Sequence, residues 1–304
     1  MRFEVTLSQP FNLDCTLNSG QTFTWQKIGC FWYGTLGSAA VRVAKIQNRL
    51  QVESDSVLNE ETILRYFGLE DDLLEIYNSI NKDSHINRAL EKSKGLRIIR
   101  QDPWEVIFSF IAATNISIKR VEGSLNKLCE KSGSRKVFNG VVMYTFPTPQ
   151  AILEGEVNAL KDAGFGYRAS WLVEAAKVVA DHPNLMYSLL EQSYESARSQ
   201  LLRKKTFIGV GEKAADCILL FGFNKLESFP IDRWIRQNIV NNYAHLFDAD
   251  LITKLKAKRS LHSSIYNKIR RRMIEYFGKY AGYAQQYLFV YERLVRRSQP
   301  QVTL

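Results

Sequence analysis

The sequence predicts an α+β fold: a β-rich N-terminal domain with helices over residues 1–92, then a mostly α-helical domain over 93–304. Three observations carry this. Up to about residue 60, apolar and polar residues alternate and are rich in aromatic and β-branched types, which is strand behaviour. From Glu60 the apolar spacing lengthens to three and four, the helical period. After Gly95 the pattern stays almost wholly helical, broken by a Gly209-Val210-Gly211 turn between two helices.

Taken in order, Phe23-Thr24-Trp25 and Cys30-Phe31-Trp32-Tyr33-Gly34-Thr35-Leu36 read as strands, while Ile63, Leu64, Tyr66, Phe67 and then Leu73, Leu74, Ile76, Tyr77 read as helices. Pro103 opens one long helical segment, and Phe165-Gly166-Tyr167 marks a turn into another around Ala169 to Ala180. In Phe207-Ile208-Gly209-Val210-Gly211-Glu212-Lys213-Ala214-Ala215-Asp216-Cys217 the two glycines permit a tight turn and let backbone N–H groups approach a phosphate. Lys213 then falls in the first turn of the following helix. Pro230 shortly before Asp232, ahead of an apolar-periodic run, is a helix-start signature with Asp232 as the cap. No internal repeat or low-complexity linker stands out.

A chain of 304 residues can bury a sizeable core. Its formal charge of +10 favours a polyanionic partner, nucleic acid first, although a basic proteome background gives the same excess. Cys15, Cys30, Cys129 and Cys217 are scattered, which argues against a disulfide framework and against a structural zinc or iron–sulfur centre. No apolar run of membrane-spanning length and no cleavable signal are evident, so a soluble intracellular protein is expected.

At the hairpin lysine and the Pro-x-Asp motif the chain resembles the helix-hairpin-helix DNA glycosylases, and within them the 8-oxoguanine DNA glycosylase/lyase family. The resemblance extends to Phe11-Asn12-Leu13-Asp14, Ser19-Gly20-Gln21-Thr22-Phe23-Thr24-Trp25, Arg100-Gln101-Asp102-Pro103 with Phe108-Ser109-Phe110-Ile111, Gly164-Phe165-Gly166-Tyr167-Arg168-Ala169 and Gly282-Tyr283-Ala284-Gln285. It implies a twisted antiparallel N-terminal sheet, with Lys213 as nucleophile and Asp232 as the essential carboxylate. Cys217 and Phe289 would sandwich the flipped base, Gln285 would bond its Watson–Crick edge, and the main-chain carbonyl of Gly20 would read the N7 proton that marks oxidised guanine. Asn115, Arg120 and Arg168 match residues that contact the cytosine left behind, with Tyr167 as a wedge. Gly209 and Gly211 match the DNA-gripping hairpin. Eukaryotic members continue an asparagine run where this chain has Ile116-Ser117, and carry histidine where Trp234 stands; Arg233 is the candidate to replace that phosphate contact. Some relatives in the superfamily hold an iron–sulfur cluster near the C-terminus, for which these cysteines provide no ligand set.

The residues also have plainer readings. A helix-start lysine is usually solvated, a buried thiol or helical Phe usually belongs to a core, Gly20 suits an ordinary turn, and Arg120 and Arg168 suit phosphates equally well. The chemistry connects them. An amine attacking the anomeric carbon of a nucleotide leaves a Schiff base, which acidifies the adjacent carbon and permits β-elimination of the 3′ phosphate. The positive end of a helix and partial desolvation favour the neutral amine this needs, with like-charge repulsion from Lys204 and Lys205 in the same sense and Asp232 in the opposite sense where it comes close to the ammonium; Asp232 is also suited to stabilise an oxocarbenium-like sugar. The run Lys268-Ile269-Arg270-Arg271-Arg272-Met273 reads as general basic surface. The expectation is a monomeric, DNA-associated glycosylase with lyase activity on double-stranded DNA containing oxidised guanine, in the cytoplasm or nucleoid if prokaryotic, requiring no metal or organic cofactor. A glycosylase for alkylated or mismatched bases and a non-catalytic helix-hairpin-helix DNA-binding protein are the alternatives.

Overall fold

The N-terminal strands form a five-stranded antiparallel sheet in the order β1-β5-β4-β3-β2, from β1 Arg2–Thr6, β2 Gln26–Ile28, β3 Phe31–Leu36, β4 Ala39–Ile46 and β5 Arg49–Ser54. In the computed structural model, residues 1–155, 157–203, 206–257 and 261–297 are described, with side chains through Leu294. Register follows from the alternation: Val43 lies opposite both Trp32 and Val52, and these three, with Val41 and Leu50, bury one face against Phe11, Leu17, Ile63, Phe67 and Ile99. One helix interrupts the expected run of strands. In α1, Leu13–Asn18, the Asn12 side chain accepts from the Cys15 backbone, a cap local enough to form a helix too short for periodicity to reveal.

Helices then follow as α2 Glu60–Tyr66, α3 Leu73–Ile80, α4 Ser84–Lys92, α5 Pro103–Ala112, α6 Ile118–Ser132, α7 Pro149–Glu154, α8 Val157–Leu160, α9 Arg168–Asp181, α10 Leu185–Glu191 and α11 Tyr194–Leu201. The series closes with α12 Glu212–Gly222, α13 Arg233–Asn242, α14 Ala249–Ala257, α15 Ser263–Phe277 and α16 Ala281–Arg297. The long segment expected after Pro103 is two helices, because Asn115 takes a left-handed φ of 58° between α5 and α6. The stretch after Gly95 also contains a hairpin, β6 Arg135–Phe138 and β7 Val141–Tyr144, turning through Asn139-Gly140 at φ 50° and 76°. It docks Met143 on Tyr33 and Ala40 of the sheet and pairs Lys136 with Asp55 at 3.3 Å.

The main core is built from α5, α9, α12, α13, α15 and α16, and takes in Leu73, Ile76, Ile80, Ile86, Ala89 and Leu90 of α3 and α4. One amide ties the N-terminal loop to this body. Gln21 Nε2 donates to the carbonyls of Thr16 and Arg97 and to Ser19 Oγ, while its Oε1 accepts from Ile99 N at 2.7 Å. Gln101 Nε2 then donates to the Gln21 carbonyl at 2.8 Å. With both its donor and acceptor ends bonded, this buried amide offsets most of its desolvation and fixes the loop that carries Gly20.

Candidate active site

The α11–α12 hairpin has two glycines with different physical reasons. Gly209 adopts φ 87°, and a Cβ there would come within 2.4 Å of the Trp171 ring. No other residue fits that position. Gly211 caps α12 at an ordinary φ of −98°, and a Cβ there would meet nothing within 4 Å. The fold does not demand this glycine, so its bareness leaves the helix start open to the outside.

Behind the hairpin lies a buried polar cluster for which the sequence carried no signal. Asp216, fully buried, accepts from Tyr194 Oη at 2.7 Å, Arg198 Nε at 2.6 Å and Tyr266 Oη at 2.7 Å. Burial raises its carboxyl above the usual range, with Arg198 the main opposing charge. Arg198 also pairs with Glu212, whose carboxylate takes bonds from Ser263 and Asn267 of α15. The Tyr266 hydroxyl in turn accepts from Ile231 N at 3.0 Å. A single hydroxyl therefore joins the helix of Lys213 to the residue preceding Asp232. Arg270, expected at the surface, is instead buried and forked onto Glu195 at 2.8 and 3.1 Å, a correction that follows from its facing α11.

Lys213 stands in the first turn of α12 with its Nζ 4.7 Å from the centre of the Phe110 ring. One turn on, Cys217 is buried, and burial pushes its thiol up to about 11 against the charge and hydrogen bonding of Lys213. Asp232 caps α13 as expected, its Oδ1 accepting from Trp234 N at 2.9 Å and Ile235 N at 2.8 Å. Burial raises this half-buried carboxyl; the bond from Ile235, the charge of Lys213 and the bond from Trp234 pull it back. Lys213, Cys217 and Asp232 thus lie within electrostatic reach of one another. Lys204 and Lys205 lie outside the described residues.

A second group of the expected residues lies on α16 and in the loop after α1. Gln285 is buried with its Oε1 lacking a hydrogen-bond partner among the described residues, and Phe289 follows one turn later. An unsatisfied buried amide oxygen costs about 1–3 kcal/mol, and this one is an acceptor open to a donor from outside the protein. Gly20 holds φ 81°, and a Cβ on it would stand 3.7 Å from Phe289, 3.1 Å from Ile118 and 3.2 Å from Arg293. Gly20 and Phe289 are therefore neighbours, although they are far apart in the chain.

The remaining expected residues are Asn115, Arg120, Tyr167, Arg168 and Arg233. Asn115 and Arg120 are exposed at the start of α6, and Tyr167 is 56% exposed, edge-on to Trp171 at 5.0 Å. Arg168 differs: it is buried, with Nε donating to the Thr114 carbonyl at 2.7 Å and its guanidinium 4.5 Å from the Tyr167 ring. Trp171 sits against Gly209, so Tyr167 and Arg168 are linked through it to the hairpin. Arg233 is exposed beside Asp232 with its guanidinium 4.8 Å from the Trp234 ring.

Among the described residues no cluster of His, Cys, Asp and Glu is placed to hold a metal ion, and the four cysteines are free thiols. No helix among them is long and apolar enough to cross a membrane.

The chain matches the family model for the 8-oxoguanine DNA glycosylase N-terminal domain over residues 3–107, and that for the HhH-GPD superfamily base excision DNA repair protein over residues 108–286. A curated relative, "Probable N-glycosylase/DNA lyase" of Methanothermobacter thermautotrophicus, is 30% identical, with 93% of this chain and 94% of that one covered. A solved structure of MBOgg1 in complex with a low affinity DNA ligand superposes with a TM-score of 0.85 at 28% identity, covering 97% of this chain and 96% of that one. The Clostridium acetobutylicum 8-oxoguanine glycosylase/lyase, in complex with dsDNA containing cytosine opposite 8-oxoG, gives a TM-score of 0.82 at 27% identity over 97% of this chain and 98% of that one. Two family models that together span nearly the whole chain, and relatives matched end to end, agree with the hairpin, the lysine and the capped aspartate: the chain belongs to the HhH-GPD superfamily of base excision DNA repair proteins and, within it, to the 8-oxoguanine DNA glycosylase family.

Proposed function

We propose that the chain excises 8-oxoguanine from duplex DNA and then cleaves the abasic strand, with the body divided near Lys92 into a sheet domain and a catalytic helical domain. The observation that carries this is the convergence of Lys213 in the first turn of α12, Cys217 one turn on and Asp232 at the start of α13, two helices tied together through Tyr266. In this reading the Lys213 amine attacks the anomeric carbon as the base departs, and Asp232 stabilises the positive charge that builds on the sugar. The resulting Schiff base lets the adjacent sugar carbon lose a proton, and the bond to the 3′ phosphate breaks. Base recognition falls to the Gly20 carbonyl, the Gln285 amide and stacking between Cys217 and Phe289. The orphaned Gln285 Oε1 supports this, being a buried acceptor that a flipped base would satisfy. The open Gly211 helix start meets phosphate, while Asn115, Arg120, Arg168, Tyr167 and Arg233 address the distorted duplex and its unpaired cytosine. The protein acts as a monomer on double-stranded DNA inside the cell and needs no cofactor.

Borohydride reduction tests the nucleophile, since it converts a Schiff base into a stable protein–DNA adduct. Wild-type protein with an 8-oxoguanine:cytosine duplex is expected to be trapped, and Lys213→Gln to lose both trapping and strand cleavage while still binding DNA through its phosphate contacts. Full trapping by the variant overturns the assignment. Release of alkylated or mismatched bases in place of 8-oxoguanine moves the activity to a different substrate, and binding without any excision reduces the chain to a DNA-binding module.

A further inference from the structure

Arg293 lies on α16 one turn beyond Phe289 and two turns beyond Gln286, so the three side chains share a face of that helix. Gln286 Nε2 at 3.2 Å and Arg293 Nη1 at 3.4 Å both donate to one acceptor, the carbonyl of Ser19. The same guanidinium sits 5.2 Å from the centre of the Phe289 ring. Across from it stands α6, with Ile118 against Gly20 and, one turn on, Glu122, whose carboxyl burial pushes up and Arg293 pulls back. A guanidinium suits this place for a specific reason: its flat face can rest on an aromatic ring while its edge N–H groups donate in plane, which a lysine ammonium cannot do.

We propose that Arg293 is a specificity-determining positioning residue that clamps the Ser19–Gly20 peptide to the Phe289 ring and so sets the width of the slot that admits a planar oxidised purine. The inference rests on the assignment of Gly20 and Phe289 to the base pocket. Reading an N7 proton requires the carbonyl to stay within hydrogen-bond distance of a base stacked on the ring, and a shift of well under an ångström in the peptide spoils that geometry. Gly20 is held at φ 81° with no side chain of its own to anchor it, so its placement comes from its neighbours. Ser19 is the neighbour held by α16, and Arg293 is the group that touches both the Ser19 carbonyl and the ring.

The test compares two substrates, a duplex with 8-oxoguanine opposite cytosine and the same duplex with a preformed abasic site, whose cleavage needs Lys213 but no base pocket. Arg293→Met keeps the length and apolar volume of the side chain. It is expected to slow 8-oxoguanine release about tenfold more than abasic-site cleavage, the loss of a cation–π clamp expressed as a rate. Arg293→Lys restores the charge without the fork, so it is expected to recover part of that loss, and it carries the test alone if the Met variant does not fold. Equal losses on both substrates, an unchanged ratio, or full recovery with Lys each overturn the proposal. A wild-type protein that cleaves the abasic duplex yet releases no 8-oxoguanine overturns the substrate reading itself, an outcome separate from these because it is seen before any variant is made.

Discussion

The side-chain nitrogen of Lys213 rests 4.7 Å from the centre of the Phe110 ring, and that ring is stacked on Phe221 at 5.6 Å and edge-on to Phe23 at 5.9 Å. The proposed nucleophile is thus seated on a packed aromatic surface drawn from α5, α12 and the N-terminal loop. A flat, immobile seat restricts the lysine to a few rotamers and keeps water off one side of it.

Phe110→Leu should therefore act twice. Truncating a buried ring leaves space that the neighbouring aromatics cannot fill, at a cost of about 1–3 kcal/mol in denaturant unfolding. Single-turnover excision should also slow while DNA affinity is kept, because Phe110 lies against the amine and is itself buried. Wild-type excision by a destabilised variant would show that the seat is packing alone.

The two hairpin glycines should separate stability from binding. Gly209→Ala forces a side chain onto a φ of 87° and into the Trp171 ring, so it should lower Tm and weaken DNA binding together. Gly211→Ala has open space and an ordinary φ, so its Tm should change little, yet in the proposed DNA contact its methyl group would stand in the way of a phosphate. Reduced DNA affinity at near-normal Tm is the expected result; a normal affinity would remove Gly211 from the interface.

Much of this was legible in the sequence because it rests on local rules. Alternation gave the sheet, although Phe23-Thr24-Trp25 is loop and its strand begins only at Gln26; Pro230 with Asp232 gave the cap of α13, and the glycines gave the hairpin. What stayed hidden was long-range. Asp216 looks like any helical aspartate until Tyr194, Arg198 and Tyr266 converge on it from two other helices, and Arg270 sits in a basic run that reads as surface until α11 supplies Glu195. Phe110 belonged to a motif with no role attached to it. The β6–β7 hairpin was the exception: its Asn139-Gly140 turn is a local signal, overridden by the surrounding helical pattern.

Asp232 makes a prediction about pH. Burial holds its carboxyl above the ordinary range, so the folded chain binds that proton more tightly than the unfolded one. This favours the folded state most below the unfolded value, and the contribution is lost as pH rises through the folded value. Asp232→Asn retains an oxygen to cap Trp234 and Ile235, escapes that loss, and should be as stable as wild type or slightly more so at neutral pH, with the difference fading towards acid. Catalysis runs the other way. With Asp232 in the proposed role, excision needs the carboxylate, so the wild-type rate should fall as pH drops through the raised value. The Asn variant should be slower by a factor on the order of 10² at neutral pH and lack that acid limb. An unaltered pH–rate profile in the variant would assign the limb to another group.

The two arginines expected at the unpaired cytosine should behave differently, because the structure gives them different surroundings. Arg120 is exposed in the first turn of α6, where its removal leaves no hole and no lost backbone bond. Arg120→Ala should therefore keep its Tm, and if it reads the opposite base, it should shrink the preference for 8-oxoguanine opposite cytosine over 8-oxoguanine opposite adenine. Arg168 is buried and its Nε bonds the Thr114 carbonyl, next to Asn115 in its left-handed turn. Arg168→Ala should lower stability by about 1–3 kcal/mol through the orphaned carbonyl and lost packing, and should loosen the turn that presents Asn115. Opposite-base preference would then fall indirectly, and Arg168→Lys, which keeps a donor but not the planar group over Tyr167, should restore stability more than preference. Measuring Tm beside the cytosine-to-adenine rate ratio for all three variants separates a residue that reads the base from one that supports the reader. A normal ratio in Arg120→Ala, with reduced affinity for every duplex, would make Arg120 a phosphate contact.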